Sequence, residues 1–181
     1  MFQAAPSPGN IPRKVGLKTG PLATSLLLAA ALLGIALFPQ ARADTNGYTP
    51  VRVYDPKRDA DKDIRDALAE AGRSNRNVLI EVGGQWCSWC KVLDKYFAQH
   101  PSAAALRDKN YVVVAVNYSD ENKNEGTLGR YGKMDDFPHF FVLDSSGKLL
   151  RSQDTRQLEQ GKGYSRRRMR EFLLKWAPHA R

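Results

Sequence analysis

The sequence predicts an α/β fold, a central mixed sheet of about four strands flanked by helices on both faces, and three patterns carry that expectation. Two runs of strand length, Asn77 to Val82 and Tyr111 to Val116, are apolar and rich in β-branched residues. Stretches with apolar residues at helical spacing lie before, between and after them. Near the end, Asp144-Ser145-Ser146-Gly147 carries turn chemistry between two further extended runs, His139 to Leu143 and Lys148 to Arg151. The order helix, strand, helix, strand, helix, hairpin, helix requires parallel crossovers followed by an antiparallel hairpin.

The elements follow in order. Met1 to Gly20 is polar and basic, Leu22 to Phe38 is apolar, and Pro39 leads into the small-x-small site Ala41-Arg42-Ala43. That order describes a secretory signal peptide over residues 1–43, cleaved after Ala43, which places the rest of the chain in the periplasm or outside the cell. An uncleaved membrane anchor is the competing reading, because about 17 apolar residues reach the lower limit for a span. With no cysteine near the apolar run, a lipid-modified N-terminal cysteine is excluded. Residues 44–59, rich in Pro, Gly, Asn and Asp, read as an extended lead-in, and residues 60–181 as the folded domain.

Within the domain, Ile64, Leu68 and Ala71 recur at helical spacing and Gly72 offers a stop, so Asp61 to Ala71 reads as an amphipathic helix. The strand Asn77 to Val82 ends at Gly83-Gly84. Cys87 to Gln99 places Cys90, Leu93 and Phe97 on one helical side and stops before Pro101; Ser102 is set to cap a short second piece through Leu106. Tyr111 to Val116 is apolar enough for a strand buried on both faces. Asn117 to Asp136 reads as a loop with a short helix around Leu128 and Tyr131, and after the hairpin Ser165 to Trp176 carries the stripe Met169, Phe172, Leu173 and Trp176.

With 181 residues, 42% hydrophobic and 26% charged, the chain is neither wholly disordered nor a multi-span membrane protein. The net charge is +9, but Arg13, Lys14, Lys18 and Arg42 belong to a leader without acidic residues, and beyond it 24 basic residues face 19 acidic ones. Arg166, Arg167, Arg168 and Arg170 gather part of this excess on what reads as a solvated helix face, with an acidic partner or an anionic membrane surface as the alternative. No aromatic residues interleave with them as a stacking platform, which argues against nucleic acid as a partner.

Chemistry concentrates at the only two cysteines, Cys87 and Cys90, at the junction of a predicted strand and a predicted helix. A thiol at a helix N-terminus faces unpaired backbone N–H groups and the positive end of the helix dipole, which favour the thiolate, the attacking species. Cys90, one turn on, is expected to be the more buried partner. Cys-x-x-Cys on a βαβ pattern points to a redox site. Two other readings stay open: a structural disulfide, which would close so short a loop that it stabilises little, and a metal site. Zinc would need His100, His139 or His179 from far apart, whereas copper(I) suits Cys87, Cys90 and His139.

Three stretches taken together resemble a known family: Val78-Leu79-Ile80-Glu81-Val82 before Trp86-Cys87-Ser88-Trp89-Cys90-Lys91, then Asp136-Phe137-Pro138, then Phe140 to Lys148. From about Asp61 to Trp176 the chain resembles the thioredoxin-like superfamily, in particular its exported single-domain members with a Trp-Cys-x-Trp-Cys-Lys centre. The resemblance implies a redox-active Cys87–Cys90 disulfide, with Cys87 as nucleophile. It also implies a cis peptide before Pro138, with the backbone of Phe137 pairing with a substrate strand; a trans proline opening a strand is the plainer reading. Glu81 falls where the family carries a buried acid that moves the proton of the second thiol; the alternative is a solvent-facing edge position. Trp86 and Trp89 flank the nucleophile as an apolar lip for a peptide or partner domain, unless they belong to the core. The Ser88-Trp89 pair departs from the Gly-Pro and Pro-His pairs of better-known members, and these positions help set the potential, so the direction of electron flow stays open. His139 reads as a structural histidine beside a possible role near the sulfurs.

The expected function is an extracytoplasmic thiol–disulfide oxidoreductase acting on protein thiols and disulfides, with reduction preferred to oxidation. No cofactor is implied: the sequence has no second cysteine pair, flavin motif or nicotinamide-binding glycine fingerprint, so electrons are expected from a membrane-embedded donor protein. Two alternatives use the same residues, a copper(I)-binding or redox-sensing module and a scaffold with a structural disulfide.

Overall fold

The computed structural model describes residues 47–178. The expected leader and His179 lie outside them. Among the described residues no helix is long and apolar enough to cross a membrane.

The first helix, α1 (Ala60–Ser74), starts where Asp59 accepts a hydrogen bond from the Lys62 N–H at 2.9 Å, satisfying one of the free donors of its first turn. It runs through Gly72, the expected stop, and ends at Asn75 in the left-handed conformation (φ 52°), whose N–H returns to the Ala71 carbonyl. Asparagine tolerates this conformation and closes the helix three residues later than the glycine would have. The strand β1 (Asn77–Gly83) leads into α2 (Ser88–Gln99), and α3 (Pro101–Asn110) follows. The expected cap at Ser102 is not used. Pro101 opens α3 instead, where its missing N–H costs nothing and its fixed φ suits the first turn, and the helix continues past Leu106 to Asn110.

After β2 (Tyr111–Asn117) come the single turn α4 (Glu125–Leu128) and a 3₁₀ turn (Gly129–Tyr131). The hairpin β3 (His139–Leu143) and β4 (Leu149–Asp154) leads through a 3₁₀ turn (Thr155–Leu158) into a two-residue pair, β5 (Glu159–Gln160) and β6 (Gly163–Tyr164), then α5 (Arg166–Lys175), capped by Ser165. The four-stranded sheet has the order β2-β1-β3-β4, with β1 and β2 parallel and the other pairs antiparallel. This is the α/β architecture expected from the sequence.

The central strand β1 alternates between two cores. Val78, Ile80 and Val82 join Ile64, Ala67 and Ala71 of α1, together with Phe141 and Leu143. On the opposite face Leu79 joins Leu93 and Phe97 of α2, Met169, Phe172 and Leu173 of α5, and Phe140 and Val142. Alternation places Glu81 on the α2 face, opposite Ala115 of β2 and Phe140 of β3. The lead-in is extended and held: Val51 bridges Val114 beside β2, and its carbonyl accepts from the Ala115 N–H at 2.9 Å.

Candidate redox site

Cys87 is the N-cap residue of α2 and is bonded to Cys90, with Cα atoms 5.3 Å apart. The Cys90 N–H points at the Cys87 sulfur at 3.0 Å, so an otherwise free donor of the first helical turn is directed at the sulfur that would carry charge after reduction. The spacing follows from the helix itself: a cap residue and the third residue inside lie one turn apart on the same side. Both cysteines are buried, at 2% and 1% exposure, so Cys90 is not the distinctly more buried partner expected from sequence. Tyr54 and Ala115 form one cluster with the bonded pair, and Trp89 and Phe137 pack against it.

Gly83 and Gly84 serve this site through the space they leave. A methyl on Gly83 would collide with Cys90 Sγ and lie 3.1 Å from the Tyr54 hydroxyl, and one on Gly84 would collide with Trp86 Nε1. The Trp86 ring lies across that gap and donates from Nε1 to the Tyr118 carbonyl at 2.7 Å while remaining 56% exposed. Its edge meets Phe137 at 5.5 Å between ring centroids, and Phe137 stacks on Tyr118 at 4.7 Å. Trp89 is half-buried and turns the other way, edge-on to Tyr164 at 5.7 Å. Beside Trp86 a cleft of about 570 Å³ runs between Pro56 and Gln85 on one side and Tyr118 to Glu121 on the other.

Pro138 is buried after a cis Phe137–Pro138 peptide, and its carbonyl accepts from the Thr155 hydroxyl at 2.5 Å. Half-buried Phe137 therefore reaches the disulfide from a loop fastened to the turn after β4.

The match to known proteins covers the same elements. Residues 59–145 match the family described as Thioredoxin-like. A disulphide isomerase from Xylella fastidiosa Temecula1 superposes with a TM-score of 0.59 at 27% identity, over 68% of this chain and 96% of that one. The domain has a thioredoxin-like fold. The C-terminal domain of DsbD from Neisseria meningitidis, in its oxidised form, shares the fold with a TM-score of 0.50 at 15% identity, covering 69% of this chain and 97% of that one. The thiol:disulfide interchange protein DsbE of Pseudomonas aeruginosa is 33% identical over 55 residues, 30% of this chain and 27% of that relative. The chain thus matches about a quarter of this relative's length.

Glu81, joined to the cysteine cluster through Tyr54, is 6% exposed. Burial pushes its carboxyl up to about 7, with the Arg107 charge opposing, Asp94 reinforcing, and a hydrogen bond from the Tyr54 hydroxyl at 3.2 Å opposing. A cavity of about 290 Å³, lined by Arg52, Tyr54, Glu81, Asp94, Arg107 and Ala115 among others, opens beside the carboxyl. His139 does not join this group. It lies on the other sheet face against Phe141, at 4.8 Å between ring centroids, with Nε2 2.8 Å from the Ser152 hydroxyl, and burial lowers its pKa. The copper(I) set of Cys87, Cys90 and His139 therefore draws on both faces of the sheet. His100 is likewise occupied elsewhere, with Nδ1 2.8 Å from the Tyr96 carbonyl and its ring stacked on Tyr96.

Sequence reasoning brought Cys87, Cys90, Glu81, Phe137 and Pro138 to attention and missed Tyr54, Gly83 as a spacer, and Thr155. Gly83 was the most accessible of these, because a glycine closing a strand just before a cysteine pair signals close approach of side chains.

Proposed function

We propose that this protein is an extracytoplasmic thiol–disulfide oxidoreductase that acts on protein disulfides through Cys87 and Cys90 and works as a reductase. The bonded Cys87–Cys90 pair at the start of α2, with the Cys90 N–H aimed at Cys87 Sγ, carries the proposal. In the reduced protein the Cys87 thiolate attacks a substrate disulfide, one substrate sulfur leaves and takes up a proton, and a mixed disulfide remains. Cys90 then gives its proton to the Glu81 carboxylate and attacks Cys87 Sγ. The second substrate sulfur departs with its bonding pair, and Cys87 and Cys90 are bonded as in this structure. Two electrons pass from the protein to the substrate, whose two sulfurs leave as thiolates and take up protons from solvent, while the Cys90 proton rests on Glu81 until solvent takes it. The exposed Trp86 face and Phe137 offer the incoming chain an apolar edge beside the sulfurs, and Pro138 shapes the loop that presents Phe137.

The proposed direction of flow rests on what surrounds the sulfurs. Tyr54 and Ala115 cluster with the buried sulfurs, and Trp89 and Phe137 pack against them. The reduced thiolate is supported by the helix terminus and one N–H, while burial of both sulfurs disfavours the charged form. The leader read over residues 1–43 supports export, and a protein donor in the membrane would restore the dithiol. The domain is proposed to span residues 60–181, with residues 44–59 as its lead-in.

The equilibrium reduction potential of the purified protein against a glutathione or dithiothreitol series tests this. A value near that of thioredoxin, about −270 mV, is expected, and a value near about −120 mV reverses the direction of flow. The burial of both sulfurs favours a second reading, a permanently bonded scaffold; a pair that resists reduction under native conditions would establish it in place of the first.

A further inference from the structure

The lead-in before α1 contributes a side chain to the redox site that neither the cysteine pair nor the proline loop requires. Tyr54 is 8% exposed and packs in one cluster with Cys87, Cys90 and Ala115. Its hydroxyl donates to Glu81 Oε1 at 3.2 Å. The same hydroxyl and Cys90 Sγ converge on the Cα of Gly83, where any added methyl would strike the sulfur and come within 3.1 Å of the oxygen. One phenol head thus touches the carboxyl and borders the sulfur.

The backbone around Tyr54 is fastened on both sides. Val51 accepts from the Ala115 N–H at 2.9 Å, the Tyr54 carbonyl accepts from Gln85 Nε2 at 3.3 Å, and the Pro56 carbonyl accepts from Asn122 Nδ2 at 2.9 Å. Gln85 immediately precedes Trp86-Cys87, so the strap is tied to the loop that carries the nucleophile. A side chain that only filled space would need neither a hydroxyl aimed at a buried acid nor a strap anchored to the active-site loop.

We infer that Tyr54 is a positioning residue for thiol–disulfide exchange: its hydroxyl fixes the Glu81 carboxyl so that it accepts the proton of the Cys90 thiol as Cys90 displaces the substrate sulfur from Cys87. This rests on the thiol–disulfide reading proposed above. In that step the Cys90 S–H bond breaks and its proton goes to a Glu81 oxygen. The Cys90–Cys87 bond forms, and the Cys87–substrate bond breaks with its electron pair leaving on the substrate sulfur. Tyr54 undergoes no net change.

The groups facing Glu81 are Asp94 from α2, Arg107 from α3, and Arg52 and Tyr54 from the lead-in, with Cys90 on the far side of the Tyr54 hydroxyl. Arg107 is shared with Asp108 at 2.9 Å. Burial, with the Glu81 charge adding to it, holds the Tyr54 phenol well above its ordinary range, so it stays a donor across neutral pH. A donor to the carboxylate favours the ionised acid, and removing it makes Glu81 hold its proton to higher pH.

Tyr54→Phe in the full chain keeps the ring and removes only the donor. The Glu81 titration midpoint, read by carboxyl-carbon NMR, is expected to rise by on the order of one pH unit. The rate at which Cys90 resolves a preformed mixed disulfide on Cys87 is expected to fall about threefold to tenfold near pH 7. In a Glu81→Gln background the same substitution is expected to change that rate by less than about twofold. An unshifted midpoint, or an equal loss of rate in the Gln background, overturns the role of Tyr54. Should Tyr54→Phe fail to fold, the wild-type Tyr54 Cζ resonance decides: it follows the Glu81 midpoint if the bond exists, and a flat response overturns the role. A wild-type protein that resolves no mixed disulfide at any pH overturns the thiol–disulfide reading and this role with it.

Discussion

Glu81 sets burial against charge, and its sign determines how stability depends on pH. Its carboxyl is pushed up to about 7 from an ordinary 4.5, first of all by burial. The folded protein therefore holds this proton where the unfolded chain has released it. The contribution of Glu81 to stability is fully present below about pH 4.5, declines as pH rises, and is lost above about 7. Glu81→Gln keeps the shape and removes the charge, so it is expected to stabilise the fold at pH 8 by on the order of 3 kcal/mol while changing little at pH 4. Urea denaturation at the two pH values checks this, and an equal effect at both would remove the electrostatic explanation. Gly83 makes a different demand, for room: Gly83→Ala would press a methyl on Cys90 Sγ and Tyr54. The expected cost is about 1–3 kcal/mol of stability, as for overpacking in a core, and an alanine variant that melts with the wild type would mean the cluster yields easily. Glu81 was legible in the sequence because the resemblance picked it out and the strand run sets it between apolar neighbours. Tyr54 was not, because its burial depends on a partner 27 residues away that only the folded sheet brings near.

At the scale of elements, the site is the meeting of a helix start with two loops, and each junction is held by one identifiable contact. Cys87 caps α2 with its sulfur, and serine is among the best cap residues while alanine is among the poorest. With the disulfide absent from both, Cys87→Ser is therefore expected to be more stable than Cys87→Ala by about 1 kcal/mol, read from chemical denaturation. Equal stabilities would show that the cap contributes nothing once the sulfur is gone. The proline loop hangs on the Thr155 hydroxyl, which donates to the Pro138 carbonyl from a residue only 1% exposed. Thr155→Val leaves that carbonyl without its donor and is expected to cost about 1–3 kcal/mol and to raise KM for a protein disulfide, because the Phe137 edge loses its anchor. Unchanged denaturation and unchanged KM together would contradict this. Most elements could be read from their hydrophobic patterns, since the continuous apolar runs of β1 and β2 and the stripe of α5 are buried. Boundaries failed where two stop or start signals competed: Asn75 ended α1 in place of Gly72, and Pro101 opened α3 in place of Ser102. The β5–β6 pair escaped notice because two-residue strands have no period to detect.

For the whole molecule, the direction of electron flow and the stability of the two redox forms are the same quantity seen from two sides. Folding shifts the potential of a cysteine pair by the difference in stability between the oxidised and reduced proteins, at about 1.4 kcal/mol for each 30 mV. A strong oxidant is one whose fold favours the reduced form. Here the terms on the reduced side are the start of α2 and a single N–H at 3.0 Å from Cys87 Sγ, while a cluster of Tyr54, Ala115, Trp89 and Phe137 keeps water from both sulfurs. An acid, Glu81, occupies the same face of the sheet, and its ionised form opposes a thiolate nearby. The bond itself closes a very short loop and so adds only about 2 kcal/mol, the low end for a disulfide, by restricting the unfolded chain. Burial, the acid and the loop closure share a sign and together outweigh the α2 terminus, so the oxidised protein is expected to be the more stable form by about 2 kcal/mol or more at pH 7, which corresponds to a reducing pair. Denaturation curves for the oxidised protein and for the protein in excess dithiothreitol measure this difference without a substrate, a donor or an assay of activity. A reduced form that proves the more stable by several kcal/mol would require a source of thiolate stabilisation beyond the α2 terminus and would turn the proposed reductase into an oxidant.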